Sequence, residues 1–306
     1  MRQIILSILF IFCSGNLIAD ILKEVAHRYV DNNGTRIHYV SVGQGPLVVM
    51  IHGFPDYWYS WRHQMSALKE QYQVIAIDQR GYNKSDQPEG IDNYAMPLLV
   101  SDVAAVIKDT GSKQATVVGH DWGGAVAWQV ALNLPQITDK LIVLNLPHPN
   151  GLAREMRDNR EQRTNSGYAQ RFRQGKASDP DILGGGPMTA QRLAQWVQDK
   201  EAKQHYVDAF NRSNFSSMLN FYKANYPNLS DERPENITST PQLNIPVLIF
   251  HGLKDRALHS DGLNNTWDWI DQDLTIVTVP NAGHFVQQDA ADLVSKTMKS
   301  WLLDRR

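Results

Sequence analysis

Six short runs of apolar and mostly β-branched residues constrain the fold of this 306-residue chain more than any other feature. Each run is too continuous for a strand with one face in water, so we expect strands that are buried on both faces. Helix-length segments separate most of the runs, and this alternation predicts an α/β protein with a mostly parallel, doubly wound sheet. In chain order the runs are LVVMI (47–51), VIAI (74–77), ATVV (115–118), LIVLN (141–145), VLIF (247–250) and TIVTV (275–279).

Two segments depart from this alternation. Ahead of the first run, two strand patterns flank Asn33-Gly34, a pair that is typical of a hairpin turn. Between the fourth and fifth runs, nearly a hundred residues carry apolar positions at helical spacing, as in FSSMLNFYKANY and TAQRLAQWVQDKEAKQHYVDAF, while GKASDPDILGGGP is typical of a loop. We interpret residues 148–243 as a helical cap, inserted between two strands of a core that comprises residues 20–147 and 244–306.

The first 19 residues have a pattern that is typical of a signal peptide. Arg2 precedes a short apolar run, and small residues follow that run. The run is too short to span a bilayer comfortably, and the alternative is an uncleaved membrane anchor. Cleavage after Ala19 removes Cys13, the only cysteine, so the mature protein can form no disulfide. We therefore expect an exported protein, periplasmic or secreted, without stable membrane insertion after cleavage.

Charge and motif content narrow the function classes further. The formal net charge is -2 and the chain contains no run of Lys and Arg, so we expect no nucleic-acid partner. Nothing in the sequence indicates a metal or an organic cofactor. The oligomeric state is not specified, and a homodimer is compatible with the sequence.

The segment VVGHDWGGAVAW, from Val117 to Trp128, has the pattern of a strand, a tight turn and a helix. In the G-x-S-x-G elbow the central residue is a nucleophilic serine, whereas here it is Asp121. A carboxylate is ionised at neutral pH and needs no base to become a nucleophile. Its suitable target is an sp³ carbon, because attack on a carbonyl would form a reactive anhydride. We therefore expect a substrate with a leaving group on carbon, such as an epoxide oxygen or a halide.

The ester formed on Asp121 must then be hydrolysed, which requires a base. His284 follows the last strand pattern and can take a proton from water, because its unperturbed pKa lies near neutral pH. Asp255 follows the preceding strand and is suited to orient His284. Each residue alone has a structural alternative, a packed histidine or a helix-capping carboxylate. The order nucleophile, acid, histidine after three strand patterns favours a triad.

The oxyanion that forms during ester hydrolysis needs backbone donors. In a strand-turn-helix site of this kind they are the N–H after the nucleophile and an N–H from the loop after an earlier strand. These positions are Trp122 and Phe54, in GHDWGG and MIHGFPDYWYSW. Gly53 lets the loop turn close to the nucleophile, and Pro55 presets the backbone and is a candidate for a cis peptide bond. The aromatic residues that follow are expected to be structural.

Across essentially the whole mature chain, the sequence resembles an epoxide hydrolase of the α/β-hydrolase fold. The motifs that carry the resemblance are HGFP, GHDWGG, LNLPHPN, GLKD and GHFVQQD. The first two are shared with haloalkane and fluoroacetate dehalogenases, so they identify the branch of the superfamily rather than the substrate. Some relatives place the acid after the strand that precedes the cap, where this chain has Asn145, and Asp255 is therefore the better candidate.

Two cap tyrosines are implied by the same resemblance. Epoxide hydrolases carry one in a Y-x-x-x-F stretch early in the cap and one after an asparagine near its end, which correspond here to Tyr168 and Tyr222. A phenol can hydrogen-bond the epoxide oxygen and protonate the alkoxide as the ring opens. Tyr226 lies one helical turn from Tyr222, and the stretch RFRQ after Tyr168 is more basic than an apolar pocket wall should be.

Two rival functions remain open at this point. A haloalkane dehalogenase would hold the departing halide with the indole N–H of Trp122 and a second donor, for which Trp196 is available, since the side chain of Phe54 cannot donate. The chain could also be a non-catalytic exported binding or effector protein on the same fold. The intact set of Asp121, Asp255 and His284 counts against the second alternative. The expected reaction partners are a small epoxide and water.

Overall fold

The computed structural model describes residues 18–227 and 240–305, which form an eight-stranded sheet with twelve α-helices. The strands are β1 (Ala26–Asn32), β2 (Thr35–Val42), β3 (Leu47–Ile51), β4 (Gln73–Ile77), β5 (Ala115–His120), β6 (Thr138–Leu144), β7 (Val247–Gly252) and β8 (Leu274–Val279). The helices are α1 (Ile18–Glu24), α2 (Arg62–Leu68), α3 (Met96–Asp109), α4 (Trp122–Asn133), α5 (Pro149–Asp158), α6 (Arg160–Asn165), α7 (Gly167–Gln174), α8 (Ala190–Leu193), α9 (Lys200–Arg212), α10 (Phe215–Asn225), α11 (Val286–Asp289) and α12 (Ala291–Leu303).

The sheet has the order β1-β2-β4-β3-β5-β6-β7-β8. Strands β1 and β2 pair antiparallel with each other, β2 pairs antiparallel with β4, and every other neighbouring pair is parallel. All six apolar runs are strands, and β3, β5 and β7 are buried along their full length. Burial on both faces explains their continuous apolar pattern. The predicted fold class is therefore confirmed.

The hairpin predicted at the start of the core joins β1 to β2. Asn33 and Gly34 form its two-residue turn with φ values of 53° and 86°. Positive φ at both central residues matches the twist of the flanking strands, which is why asparagine and glycine are favoured there. The side chain of Asp31 accepts a hydrogen bond from the Gly34 N–H at 3.1 Å and closes the turn.

Helices α5 to α10 lie between β6 and β7, in the segment that we interpret as the cap. The stretch at residues 189–210 forms two helices, α8 and α9, with a break between them. The Asp199 side chain accepts hydrogen bonds from the N–H groups of Glu201 and Ala202. Asp199 is thus the N-terminal capping residue at which the second helix, α9, begins. Buried cap residues such as Phe172 and Tyr222 belong to the same hydrophobic cluster as the sheet, so cap and core share one interior.

The described residues do not include the predicted signal peptide, apart from its end. Residues 1–17 and 228–239 lie outside the described part of the chain, and Ile18 opens helix α1. Among the helices that the structure describes, none is long and apolar enough to cross a membrane.

Candidate active site

Asp121 occupies the turn between β5 and α4. Its backbone has φ 53° and ψ −121°, a strained conformation for a residue with a side chain. The turn requires glycine on both sides, because a Cβ on Gly119 would lie 2.1 Å from the carbonyl oxygen of Gly123, and one on Gly123 would lie 2.1 Å from that of Ile51. The glycines around Asp121 therefore permit the close approach of β5, α4 and β3 that forms the elbow.

The structure brings Asp121, His284 and Asp255 together in one chain of polar contacts. His284 Nε2 lies 3.3 Å from Asp121 Oδ2, and Nδ1 lies 2.8 Å from Asp255 Oδ2. The three residues follow β5, β8 and β7, so strand ends along one edge of the sheet deliver them, with β6 between β5 and β7. Because an ionised carboxylate only accepts hydrogen bonds, the His284 Nδ1–H donates to Asp255, and Nε2 is the atom that faces the nucleophile.

Three further donors hold the Asp255 carboxylate. Its Oδ1 accepts from the N–H groups of Ala257 and Leu258 at 2.7 and 3.1 Å, and its Oδ2 accepts from Asn145 Nδ2 at 2.7 Å. Asn145 follows β6, the strand after which some relatives place the acid. The sequence marks Asn145 only as a departure from those relatives. In the structure its amide orients the acid from the neighbouring strand.

His120 is a second histidine in contact with the base. It is fully buried, and its ring nitrogen Nε2 lies 2.8 Å from the His284 carbonyl oxygen, which can only accept. Burial and the positive charge of His284 lower the pKa of His120 to about 4, so it is neutral near pH 7 with its proton on Nε2. His120 belongs to the GHDWGG motif, but it was not among the site residues predicted from the sequence.

The loop after β3 contacts the nucleophile directly. The Phe54 N–H donates to Asp121 Oδ1 at 2.7 Å, and the Phe54-Pro55 peptide bond is cis. A Cβ on Gly53 would lie 2.4 Å from the Asp121 Cβ, so only glycine permits this approach. Trp122 is the first residue of α4, and its N–H has no acceptor within the helix. The two Asp121 oxygens therefore differ: Oδ1 faces the backbone donor and Oδ2 faces His284.

The two cap tyrosines lie side by side in an aromatic cluster. The rings of Tyr168 and Tyr222 have centroids 6.2 Å apart, and Tyr222 meets Trp122 edge-on at 5.0 Å and Phe54 at 5.6 Å. Tyr168 and Phe172 share one face of α7, four residues apart, while Arg171 is exposed. Arg171 therefore points to solvent, whereas Arg173, on the other side of Phe172, is only partly exposed, and its Nε is buried with no hydrogen-bond partner among the described residues.

The charge of the nucleophile affects the pKa values of both phenols. Burial raises the pKa of Tyr168 well above its usual value, and the negative charge of Asp121 adds to this effect. The pKa of Tyr222 is raised in the same way by burial, by Tyr168 and by Asp121. Both side chains therefore keep their protons in the resting site. The third tyrosine, Tyr226, directs its hydroxyl to the Met156 sulfur at 3.8 Å.

Trp196, the candidate second halide donor, lies elsewhere in the cluster. Its indole stacks on the ring of Phe285 with a centroid distance of 3.7 Å, and no ring contact joins it to Trp122 within residues 18–227 and 240–305. Its Nε1–H is buried and has no partner among those residues. The structure therefore does not bring the two indoles together as a pair.

Within residues 18–227 and 240–305, one group of side chains has ligand atoms close enough to surround a cation: Glu155, His259 and Asp261. Glu155 and His259 already accept hydrogen bonds within the protein. The Glu155 carboxylate accepts from Arg154 at 2.9 Å and from Asn159 at 2.9 Å, and His259 Nδ1 accepts from the Asp261 N–H at 3.2 Å. With an Arg guanidinium against the most buried carboxylate, the group is a set of internal hydrogen bonds, and we assign no metal to it.

Comparison with known proteins identifies the family to which this fold and site belong. The family model for the alpha/beta hydrolase fold matches residues 46–291, most of the chain. Epoxide hydrolase 1 of Caenorhabditis elegans is 32% identical over 296 residues, which cover 92% of this chain and 72% of that protein. The chain belongs to the epoxide hydrolase family of the α/β-hydrolase fold. Human Epoxide hydrolase 4 is 30% identical over 297 residues, with 90% of this chain and 78% of that protein covered.

A solved structure of the epoxide hydrolase family shares the architecture. The epoxide hydrolase of Bacillus megaterium, determined in complex with an inhibitor, superposes with a TM-score of 0.80 at 29% sequence identity, and the match covers 90% of this chain and 99% of that one. The cap is thus included in the likeness. The resemblance to epoxide hydrolases inferred from HGFP, GHDWGG, LNLPHPN, GLKD and GHFVQQD is confirmed.

In this member of the epoxide hydrolase family, two opposing effects, burial and ion pairing, determine the resting charges of the triad. Burial favours a neutral His284, but the carboxylates of Asp255 and Asp121 outweigh burial and raise its pKa well above 6.5. Burial also opposes a charged Asp121, yet the hydrogen bond and charge of His284 lower the pKa of Asp121 below 3.8. The nucleophile is therefore ionised and the base is protonated before substrate arrives.

Esterification of Asp121 should free the base, and this leads to a pH prediction. The ester removes one of the two charges that support the imidazolium, so the pKa of His284 falls and the ring can lose its proton. Once the pH falls below the pKa of His284 in the ester, the ring is protonated again and ester hydrolysis should slow, whereas alkylation should persist because Asp121 stays ionised. Quenched-flow mass spectrometry should detect increasing ester on Asp121 between pH 8 and pH 5. A hydrolysis rate that is constant over this range would contradict the assignment of His284.

Proposed function

We propose that this protein hydrolyses epoxides to vicinal diols through a covalent ester on Asp121. The observation that carries the proposal is the pair of cap phenols, Tyr168 and Tyr222, whose rings lie 6.2 Å apart beside Trp122 and whose pKa values are raised by burial and by the charge of Asp121. An epoxide that opens leaves an alkoxide, which a phenol can protonate. A halide leaves as a stable anion and needs no proton, and Phe54 has no side-chain donor to hold it.

The first half-reaction opens the ring. Asp121 Oδ2 attacks one ring carbon, and the bond from that carbon to the ring oxygen breaks. The oxygen keeps the electron pair of the broken bond and takes a proton from Tyr168 or Tyr222, which leaves a tyrosinate. The product of this step is a hydroxyalkyl ester on Asp121. No base is required, because the carboxylate is already ionised.

The second half-reaction hydrolyses the ester. The His284 imidazolium first loses its proton, through solvent, to the tyrosinate. The neutral Nε2 then takes a proton from water, and the hydroxide attacks the Asp121 carboxyl carbon. The negative charge collects on Oδ1, where the Phe54 N–H donates at 2.7 Å and the Trp122 N–H is the proposed second donor. When the intermediate collapses, the diol oxygen takes its proton from His284. Asp121 is then a carboxylic acid beside a neutral His284, and transfer of its proton to His284 restores the resting ion pair.

The direct test is a turnover screen with small aryl, alkyl and lipid epoxides alongside haloalkanes. We expect at least one epoxide, styrene oxide being the first probe, to be converted to its diol faster than any haloalkane is converted to alcohol. Faster turnover of a bromoalkane than of every epoxide would favour the dehalogenase. Absence of turnover with all of them, in a folded protein, would favour the non-catalytic binding protein. Gel filtration of the same sample tests whether the protein is a homodimer.

We also propose that the protein is exported. The support is the short apolar run after Arg2, which has the length and flanks of a signal peptide. In a secreting host, intact-mass analysis should show loss of about the first 19 residues, with the activity in the periplasm or medium. A full-length chain recovered in the membrane fraction would identify the segment as an anchor instead.

A further inference from the structure

A hydrogen-bond network outside the triad joins the cap to both loops that carry the site. Its members are Asp56, Tyr206 and Gln288, which we call the Tyr206 network. Asp56 belongs to the loop after β3, Tyr206 to cap helix α9, and Gln288 to α11. The sequence analysis assigned no role to any of the three.

Asp56 is a fully buried carboxylate with several donors. Its Oδ1 accepts from the Tyr57 N–H at 2.9 Å and from the Tyr206 hydroxyl at 2.8 Å, and its Oδ2 accepts from the Ser60 hydroxyl at 2.6 Å. Burial raises the pKa of Asp56 to about 7, and these donors act in the opposite direction. A carboxylate in such a position depends on every donor it has.

The Tyr206 hydroxyl makes two hydrogen bonds of opposite polarity. It donates to Asp56 and accepts from Gln288 Nε2 at 2.9 Å. The other end of the Gln288 amide is also fixed, because its Oε1 accepts from Arg62 at 3.0 Å. One oxygen atom of the cap is therefore a fixed link between two core segments that are far apart in the sequence.

Both core segments carry the chemistry that the proposed function needs. Asp56 follows Phe54 by two residues, and the Phe54 N–H contacts Asp121 Oδ1. Gln288 follows His284 by four residues, at the first turn beyond the base. We propose that the Tyr206 hydroxyl is a positioning group, which holds the Phe54 donor and the His284 base in register for ester hydrolysis. This inference rests on the proposed function.

The hydroxyl can be separated from the ring that carries it. The Tyr206 ring packs edge-on against Tyr57 at 5.0 Å and Trp196 at 5.2 Å, and it also contacts Phe210. Tyr206→Phe keeps these contacts, so the cap should stay seated on the core. The link through the Tyr206 hydroxyl is lost, while a second link remains, in which the Ser60 hydroxyl donates to Asp56 and accepts from Gln288 Nε2 at 3.3 Å. Ester hydrolysis uses both loops at once, whereas alkylation uses the Asp121 carboxylate and the cap tyrosines.

The test measures the two half-reactions separately, with styrene oxide or the best epoxide of the screen. With Tyr206→Phe, the rate of ester decay should fall about tenfold or more, because displacements of a fraction of an ångström in a catalytic site cost rate steeply. The rate of ester formation should stay within about twofold of wild type. A merely structural defect would instead lower the amount of active enzyme, and hence the amplitude of the burst, while both rates stayed the same.

Two further variants keep the test decisive. Tyr59→Phe removes a hydroxyl from the same aromatic cluster, with the ring centroid 6.4 Å from that of Tyr206, and should leave both rates unchanged. Gln288 is half-exposed, so leucine can replace it without a buried unpaired group. Gln288→Leu removes the other end of the network and should also slow ester decay. If neither Tyr206→Phe nor Gln288→Leu slows ester decay while wild type turns over the epoxide, the positioning role is wrong. If wild type turns over no epoxide, the proposed function fails instead.

Discussion

With His284→Gln, the substrate is expected to remain bound to Asp121 as an ester, and turnover should stop after the first half-reaction. Glutamine fills much of the imidazole volume but cannot accept a proton from water. General-base catalysis contributes about 10² to 10⁴ in rate, so ester decay should slow by at least that range. After mixing with epoxide, mass spectrometry should detect one substrate mass added to the peptide that contains Asp121.

The nucleophile itself provides the control for this experiment. Asp121→Ala removes the attacking carboxylate and should show neither adduct nor turnover. In the His284→Gln variant, alkylation should continue, because Asp121 needs no base to attack. An adduct on a different residue, or turnover that survives in Asp121→Ala, would remove Asp121 from the mechanism. Wild-type enzyme in a single turnover in H₂¹⁸O should gain the label in Asp121, since water attacks the carboxyl carbon.

Those features of the fold that rest on local physical rules could be predicted from the sequence. The buried strands are continuous apolar runs, the hairpin needs positive φ at Asn33 and Gly34, and the elbow needs glycines beside Asp121. In each case a few adjacent residues contain the whole requirement. The triad residues could be proposed for the same reason, because strand order alone delivers Asp121, Asp255 and His284 to one edge of the sheet.

The supporting contacts could not be predicted, because they join residues far apart in the chain. Asn145 meets Asp255, and His120 meets the His284 carbonyl, through hydrogen bonds that leave no local pattern. The break between α8 and α9 has a different cause. Apolar spacing continues across it, and a single capping residue, Asp199, decides where the second helix begins.

The basic stretch after Tyr168 shows why residue type alone was misleading there. The sequence RFRQ is too charged for an apolar wall if every residue of the helix faces the pocket. Helix α7 exposes only one face to the site, and residues four apart share it, so Tyr168 and Phe172 turn inward together while Arg171 faces solvent. The orientation of the helix accounts for Arg171 but not for Arg173, which is partly buried.

The choice between epoxide and halide is expected to depend on the two phenols. Tyr222→Phe alone should slow alkylation by an epoxide appreciably. The loss should be smaller than in the double variant, because one hydroxyl remains to donate to the ring oxygen. The double variant Tyr168→Phe with Tyr222→Phe leaves the developing alkoxide without an acid, and alkylation should fall by about 10² to 10⁴. Both changes keep the ring contacts with Phe54, Phe172 and Trp122, so the pocket should hold its shape.

A bromoalkane separates proton donation from every other effect of the double variant. Bromide leaves without a proton, so its displacement by Asp121 should change only modestly when both hydroxyls are removed, while Trp122→Phe should impair it strongly. Pre-steady-state alkylation rates with an aryl epoxide and a bromoalkane measure both arms on the same protein. If wild type turns over the bromoalkane faster than the epoxide, and the double variant keeps full alkylation by the epoxide, the site is that of a dehalogenase. Loss confined to the epoxide arm would instead place the proton that opens the ring on Tyr168 and Tyr222.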